Sequence, residues 1–511
     1  MNLKVERVKN QLDKIKVIEN DFNFEFNTIT VMPQYPLERR KTGCENLLET
    51  LKNFGCVYSF VDNSGYLPAT IVLGLKPKNA VKLDILLKVL KEINEDYKKG
   101  KHLKKFNLRS FLNIMTYEPQ LNILAQMFED EKNKGIILNK YHYQVGDNHY
   151  LIIDNENAKV CVGNDYNYIF LKKSVGDFKT GYFQRWGKTV EDDPLYSPIG
   201  PEILDIEISQ NGCPTIRGKN CQFCYKGNTN KPATNMPFYV FQEIFDKMPK
   251  TLTQIAFGIT GCQTNPDFLK MMWYCREHGV IPNFTLSGAD LTDELAIEFS
   301  KVAGAIAVSA YSSDKEVCYN TVKKLTDLGM QQINIHAMVS QETLPFVYEV
   351  LKDRIDDPRL SKLNAIVFLG VKPKGRAKDH YHSLTKEQYG ELVKTALDLN
   401  VPFGFDSCSA PKFVETIKSM NLTDIQKKQM IESSESCESS LISSYINTFG
   451  EYWHCSFTEE EPGYQFVDVV QARDFLKDVW YSNSVKKFRD ESILSMNDGC
   501  RHCIVFPEIN I

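Results

Sequence analysis

Between residues 201 and 412 the chain repeats one pattern: a short apolar, strand-like run followed by an amphipathic stretch of helical length. ILDIEIS, QIAFGI, IPNFTLSG, AIAVSAY, INIHAMVS and AIVFLGVKP are the strand candidates. Each is followed by a helix candidate, from FYVFQEIFDKM after the first to TKEQYGELVKTALDLN after the last. Strands that alternate with helices pair in parallel, because each helix carries the chain back across one face of the sheet. Six such units in a row predict an α/β fold, a partial (β/α)6 barrel of the TIM type. Gly279, Gly304 and Gly329 stand where three of the helices should stop. FGFDSC, ending at Cys408, reads as one further strand.

The flanks differ from this core. Residues 1–195 mix strand-like runs (TITVM, PATIVLGL, HYLIIDN, VCVGN, YIFLKK) with one helical stretch, VKLDILLKVLKEINEDYKKG, and predict an α+β domain. Residues 172–200 are polar and turn-rich and read as a connection. The barrel is expected over 200–412, and 413–511 is expected to form a small C-terminal domain with shorter elements. Nothing in the N-terminal ten residues resembles a secretory signal, and no apolar run reaches the 18 residues of a membrane span. A cytoplasmic protein with no membrane partner is therefore expected.

Composition matters at one point. The chain has 14 cysteines, while a net charge of −4 gives no general basic surface for nucleic acid. Such a thiol count, without a secretory signal, points to metal or redox chemistry rather than disulfides. Cys213, Cys221 and Cys224 lie in one loop, NGCPTIRGKNCQFCYKG, directly after the first barrel strand. Parallel α/β sheets bind ligands beyond the C-terminal ends of their strands. Three thiolates there can hold three irons of a [4Fe–4S] cluster and leave the fourth iron open. The plainer alternative is half of a zinc ribbon, which needs a second cysteine pair close by; the nearest cysteine is the lone Cys262.

This loop resembles the signature of the radical S-adenosylmethionine superfamily. The family spaces its cysteines by three residues and then two, with an aromatic before the last; here the first gap is seven, and Phe223 holds the aromatic position. The resemblance continues downstream. FGITGCQTNPDF occupies the place of the family's Gly-Gly-Glu-Pro stretch, where Gly258 matches and Ile259, Thr260, Gly261 and Cys262 depart from the pattern. TLSG places Ser287 at a cofactor-facing strand end. AVSAYS does the same for Ser309. PKGRA resembles a Pro-x-Gly-Arg-Ala run, with Arg376 as its arginine and a loop contact as its role. The resemblance implies that Phe223, Gly258, Thr260, Ser287 and Ser309 contact S-adenosylmethionine; for the two serines the alternative is a hydroxyl satisfying backbone groups. It also implies a reductase, flavodoxin or ferredoxin as electron donor.

Cys437, Cys455, Cys500 and Cys503 form a second set. Gly450 and the four residues before Cys455, with the late CRHC pair, resemble the auxiliary-cluster domains of the same superfamily, in the short Twitch form of the SPASM type. The resemblance implies one auxiliary [4Fe–4S] cluster held by these four thiolates. A structural zinc ion would accept the same ligands. Cys408 reads as a catalytic thiol, a ligand or a buried thiol. His336, on the fifth strand, reads as a core histidine. Taken together, the resemblance implies hydrogen abstraction by a 5′-deoxyadenosyl radical, with the auxiliary cluster handling electrons. The expected substrate is a peptide or protein side chain to be oxidised, cross-linked or epimerised. A small-molecule dehydrogenase, a nucleoside- or tRNA-modifying enzyme, and a non-catalytic Fe–S or zinc scaffold are the alternatives.

Overall fold

The structure is a computed structural model. It describes residues 194–510 except 216, 217, 433, 498 and 499, and before them Tyr166 and the strands given next. The chain divides into two compact units, residues 1–177 with 181–194, and residues 195–511 with 178–180.

Among the described residues the first unit contains two antiparallel sheets. β1 (Phe26–Met32), β2 (Tyr58–Val61), β3 (Thr70–Leu75) and β4 (Asn107–Leu108) form one, in the order β2-β3-β1-β4. β5 (His142–Val145), β6 (Tyr150–Asp154), β7 (Ala158–Val162), β8 (Asn167–Leu171) and β9 (Tyr182–Trp186) form an up-and-down meander in sequence order. Each of the five strand-like runs noted above overlaps one of these strands. Cys161 on β7 is buried. The expected helix over 81–100, and Cys44 and Cys56, lie outside the described residues.

The second unit is built on seven parallel strands: β10 (Ile203–Glu207), β13 (Gln254–Gly258), β14 (Ile281–Leu286), β15 (Ile306–Ala310), β16 (Ile333–Val339), β17 (Ala365–Gly370) and β18 (Phe403–Phe405). Between β10 and β13 lie β11 (Ser209–Gln210) and β12 (Thr234–Asn235), an antiparallel pair. The barrel strands pair in chain order from β10 to β18, and among the described residues β18 has no partner on its far side, so the barrel is partial. This is the α/β partial barrel the repeat predicts, with FGFDSC supplying the seventh strand.

Six helices cover the outer face: α1 (Phe238–Lys247), α2 (Phe268–Glu277), α3 (Asp293–Val302), α4 (Lys315–Asp327), α5 (Leu344–Asp356) and α6 (Lys386–Asp398). On β16, Ile333, Ile335, Ala337 and Val339 are buried against them, while Asn334, His336 and Met338 alternate toward the interior. Side-chain caps fix several helix starts: Thr292 accepts from Leu295, and Thr385 with Gln388 forms a capping box. At the other end α2 and α4 stop at Gly279 and Gly329. Both have positive φ, and the residue after each bonds back to Cys275 or Leu325. Gly304 is different: it is not left-handed, and its N–H donates to Pro282.

The C-terminal segment continues the same sheet. After α7 (Ala410–Ser419) and α8 (Asp424–Glu432), β19 (Ser443–Ile446) pairs in parallel with β10, on the side away from β13. β20 (Glu451–Trp453) and β21 (Val467–Asp468) extend it antiparallel. α9 (Asn483–Leu494) and the small hairpin β22 (Met496–Asn497) with β23 (Cys500–Arg501) follow. Tyr452, Phe475, Trp480 and Val485 belong to the same buried core as the barrel residues. The boundary expected near residue 412 falls inside α7, and the segment beyond it shares both sheet and core with the barrel.

Candidate functional site

The β11–β12 pair pinches the base of the first cysteine loop. Within it, Cys213 N–H donates to the Thr229 carbonyl at 3.0 Å and Gly212 N–H to the Lys231 carbonyl at 2.7 Å, closing the base of the loop that carries all three cysteines. Arg376 clamps the other end. Its guanidinium donates to the Cys221 carbonyl at 2.9 and 2.6 Å and to the Asn228 carbonyl at 2.8 Å, and its own backbone N–H donates to the Cys224 carbonyl at 3.0 Å. The run after the sixth strand thus fastens the loop after the first.

Cys213, Cys221 and Cys224 are half-buried and line one cavity of about 170 Å³ with Phe223, Thr260 and Ser287. Tyr311 and Tyr381 complete an aromatic wall: the Phe223 ring stacks on Tyr311 at 5.9 Å and meets Tyr381 edge-on at 5.8 Å. Ser309 is not in that wall but hydrogen-bonds the Tyr311 hydroxyl. Gly258 is not in it either. There β13 passes so close to β10 that an added Cβ would stand 3.1 Å from the Glu207 Cα. Burial, then the neighbouring Cys224 thiol, pushes Cys213 up to about 11 and Cys221 up to about 12. Three thiols held this close resist ionising together, and a bound cluster of positive irons removes that resistance. The donor set therefore fits a metal cluster with one open iron. Cys262 is buried beside Asp290 and outside the cavity wall.

A second cavity, of about 270 Å³, lies between the barrel's strand ends and the C-terminal segment. Cys408, Cys437, Cys455 and Cys503 all line it; Cys500 does not. Cys408 is in the turn Ser407–Ser409 after β18, and Cys437 precedes β19. Cys455 follows β20, and Cys503 follows β23. Burial, then Cys437, pushes Cys455 up to about 12. Cys500, on β23, is packed against Ala410 and Val414 of α7. Among the described residues no three His, Cys, Asp or Glu side chains close on a single ion. The four cysteines share the cavity wall without closing on one point.

The two cavities adjoin through residues next to their cysteines. Phe223 lines both. Tyr225, after Cys224, bonds Ser456, after Cys455, and its ring lies 4.7 Å from that of Phe457. Lys226 then joins the strands beneath, bonding Glu207 of β10 at 3.2 Å, Glu459 and the Tyr445 hydroxyl. Burial pushes both carboxyls up, yet contact with Lys226 holds Glu459 below the usual carboxylate range, while Glu207 stays raised beside the charged Glu459.

Three titratable groups in the second cavity went unread in the sequence. Lys372 and Asp406, just past β17 and β18, form an ion pair there, and the Lys372 ammonium stands 5.3 Å from the Phe457 ring. Asp205 of β10 faces the barrel interior. Its side chain is exposed to the second cavity, and the surrounding wall, then the charge of Glu438, pushes its carboxyl up to about 7. A signal for Asp205 was present: with Glu207 it is one of two acids set between the apolar residues of the strand ILDIEIS. His336 also faces the interior, at 3.3 Å from the Thr285 hydroxyl; burial pushes it down to about 4, so it is neutral at physiological pH.

No family model matches the chain, and no curated protein matches it. Among solved structures, SuiB of Streptococcus suis bound to the precursor peptide SuiA is 12% identical, aligned over 89% of this chain and 93% of that one, with a TM-score of 0.46. SuiB in a second crystal structure aligns over 85% and 89% at 12% identity, with a TM-score of 0.45. Native anSMEcpe with bound AdoMet and the Cp18Cys peptide is 16% identical over 60% of this chain and 88% of that one, with a TM-score of 0.43.

Proposed function

We propose that this chain is a radical S-adenosylmethionine enzyme. The observation that carries the reading is the convergence of Cys213, Cys221 and Cys224 on one cavity at the C-terminal end of the parallel sheet, walled by Phe223, Thr260 and Ser287. The three thiolates would hold a [4Fe–4S] cluster, with S-adenosylmethionine bound beside it in the same cavity. When bound, this pair supplies a 5′-deoxyadenosyl radical after one-electron cleavage of the sulfonium bond, the electron coming from a reductase, flavodoxin or ferredoxin.

The chain's own residues do the rest. Arg376 keeps the cysteine loop closed through the Cys221 and Asn228 carbonyls. Phe223, Tyr311 and Tyr381 exclude water and give the adenine an aromatic surface. The barrel holds the reacting carbon close, which supplies much of the rate and selectivity. Asp205, on the wall of the second cavity with its carboxyl raised, can hold a proton on a carboxylate oxygen. The second cavity, which shares Phe223 with the first, would house an auxiliary [4Fe–4S] cluster.

For the substrate we propose a peptide or protein side chain. The N-terminal unit supports this reading: among the described residues its two sheets end at β2 and β4 and at β5 and β9, and a sheet edge can be extended by an added peptide strand. The test is anaerobic reconstitution with iron and sulfide. About eight irons per chain, in two cubanes, are expected, with release of 5′-deoxyadenosine from S-adenosylmethionine under dithionite. Zinc in place of iron, or cleavage that survives Cys221→Ala, would refute the proposal.

A further inference from the structure

Five cysteines come from the barrel's last strand end and the C-terminal segment, and a cubane needs four. We infer that the second cluster is ligated by Cys408, Cys437, Cys455 and Cys503, with Cys408 taking the place that the spacing of the CRHC pair assigns to Cys500. This rests on the proposed auxiliary cluster and concerns only which thiols hold it.

The first ground is the cavity wall, which includes all four of these cysteines and omits Cys500. The second is where Cys500 goes instead. It is 5% exposed on β23, packed with Ala410 and Val414 of α7 and with the partly buried Phe405 and Ile431. That is the setting of a structural thiol in an apolar cluster. Its neighbour Arg501 donates to the Cys437 carbonyl at 2.6 Å, which fixes the hairpin against the Cys437 loop.

The third ground is the surroundings of the four. Cys503 accepts a hydrogen bond from the Phe506 N–H at 3.3 Å, and its loop is closed by Asn510, which accepts from the Cys503 N–H at 2.7 Å and donates to its carbonyl at 2.9 Å. The Cys455 loop is likewise closed, Thr458 donating to the Cys455 carbonyl at 2.8 Å. Cys408 is held by the turn after β18, where Ser409 N–H donates to the Asp406 carbonyl at 2.8 Å. Lys372, in the same wall, offers positive charge to a cluster that four thiolates make negative. A ligand from β18 would fasten the second cluster to the barrel itself. The other three ligands come from loops and the tail, so Cys408 sets the distance between the clusters through the rigid sheet.

The test uses the full chain carrying Cys213→Ala, Cys221→Ala and Cys224→Ala, so that only the second centre can load. After anaerobic reconstitution this background should hold about four irons. Adding Cys500→Ala should leave iron, sulfide and the EPR spectrum of the dithionite-reduced protein unchanged. Adding Cys408→Ala should lower the iron by a quarter or more and change that spectrum. Cys408→Ser, which keeps the volume and offers a poorer ligand, should change the spectrum with the circular dichroism of the fold intact. Retention of four irons and an unaltered spectrum in both Cys408 variants would overturn the assignment, as would their loss in Cys500→Ala. A chain whose iron vanishes entirely in the background variant also overturns it while leaving the first centre standing. A Cys408-dependent cluster that persists when the first loop of the unmutated chain binds no iron would support it and refute only the radical reading.

Discussion

Gly375 shows how little room the first site leaves. Its φ is +58°, and an added Cβ would stand 2.3 Å from the Tyr225 carbonyl and 2.5 Å from that of Cys224. Left-handed backbone at a non-glycine residue costs roughly 1–3 kcal/mol, and the clash is with backbone, which cannot rotate away. Gly375→Ala should therefore lift Arg376 off the cysteine loop and reduce iron at the first centre while the second keeps its own; an unchanged iron content would refute this. Asp205 makes a prediction with a pH sign. Its folded-state pKa is raised from 3.8 to about 7. The stability tied to its protonated form is complete below about pH 4 and is lost as pH rises through 7. Asp205→Asn cannot ionise, so its melting temperature relative to the unmutated chain should rise steadily from pH 4 to pH 8. A difference that is flat with pH would rule the shift out. Single residues were legible where the chemistry is local. The CQFC half of the first loop announces itself by spacing, whereas Tyr311, Tyr381 and Lys372 reach their sites only through folding.

At the scale of elements, the strand ends carry the chemistry. Lys372 and Asp406 follow adjacent parallel strands, so their side chains meet across the top of the sheet. Burial disfavours the ammonium of Lys372, but Asp406 and Cys408 outweigh it and hold its pKa above the usual lysine range. The lysine side chain is 5% exposed and the aspartate 18%. Removing the aspartate leaves a buried charge without its partner, so Asp406→Ala should destabilise by about 3–5 kcal/mol. Lys372→Met should cost less, because Asp406 is more open to water and keeps the Ser409 hydroxyl as a donor at 2.5 Å. Urea denaturation of the two variants checks the order; equal losses would mean that the ion pair is screened. The seven barrel strands were readable because strands covered on both faces become continuous apolar runs. β19, β20 and β21 were not, since they are 2 to 4 residues long and β19 owes its existence to pairing with β10, some 240 residues earlier in the chain.

That long-range pairing decides what the whole molecule can lose. β10 has β13 on one side and β19 on the other, so the barrel's first strand is an interior strand of a ten-stranded sheet. The same β10 leads into the cysteine loop. Trp480 is fully buried, and its indole N–H donates to the Ser197 carbonyl at 2.9 Å; Arg489 donates to the Ser440 carbonyl at 2.8 Å and lies 4.5 Å from the Trp480 ring. Deleting residues 434–511 would remove β19 through β23 and α9. It would expose a row of unpaired backbone groups along β10 and strip Tyr452, Phe475, Trp480 and Val485 from the shared core. Exposed parallel edges with apolar flanks aggregate. The truncated chain should therefore be insoluble, or lack a cooperative thermal transition, and should lose iron at the first centre although all three of its cysteines remain. Deleting residues 1–194 cuts instead at the junction of two compact units. The remaining 195–511 should melt cooperatively and keep both clusters. If the C-terminal truncation folds and loads its first cluster normally, β19 is an appendage rather than part of the barrel. If 195–511 fails to fold, the stability of the second unit depends on the first.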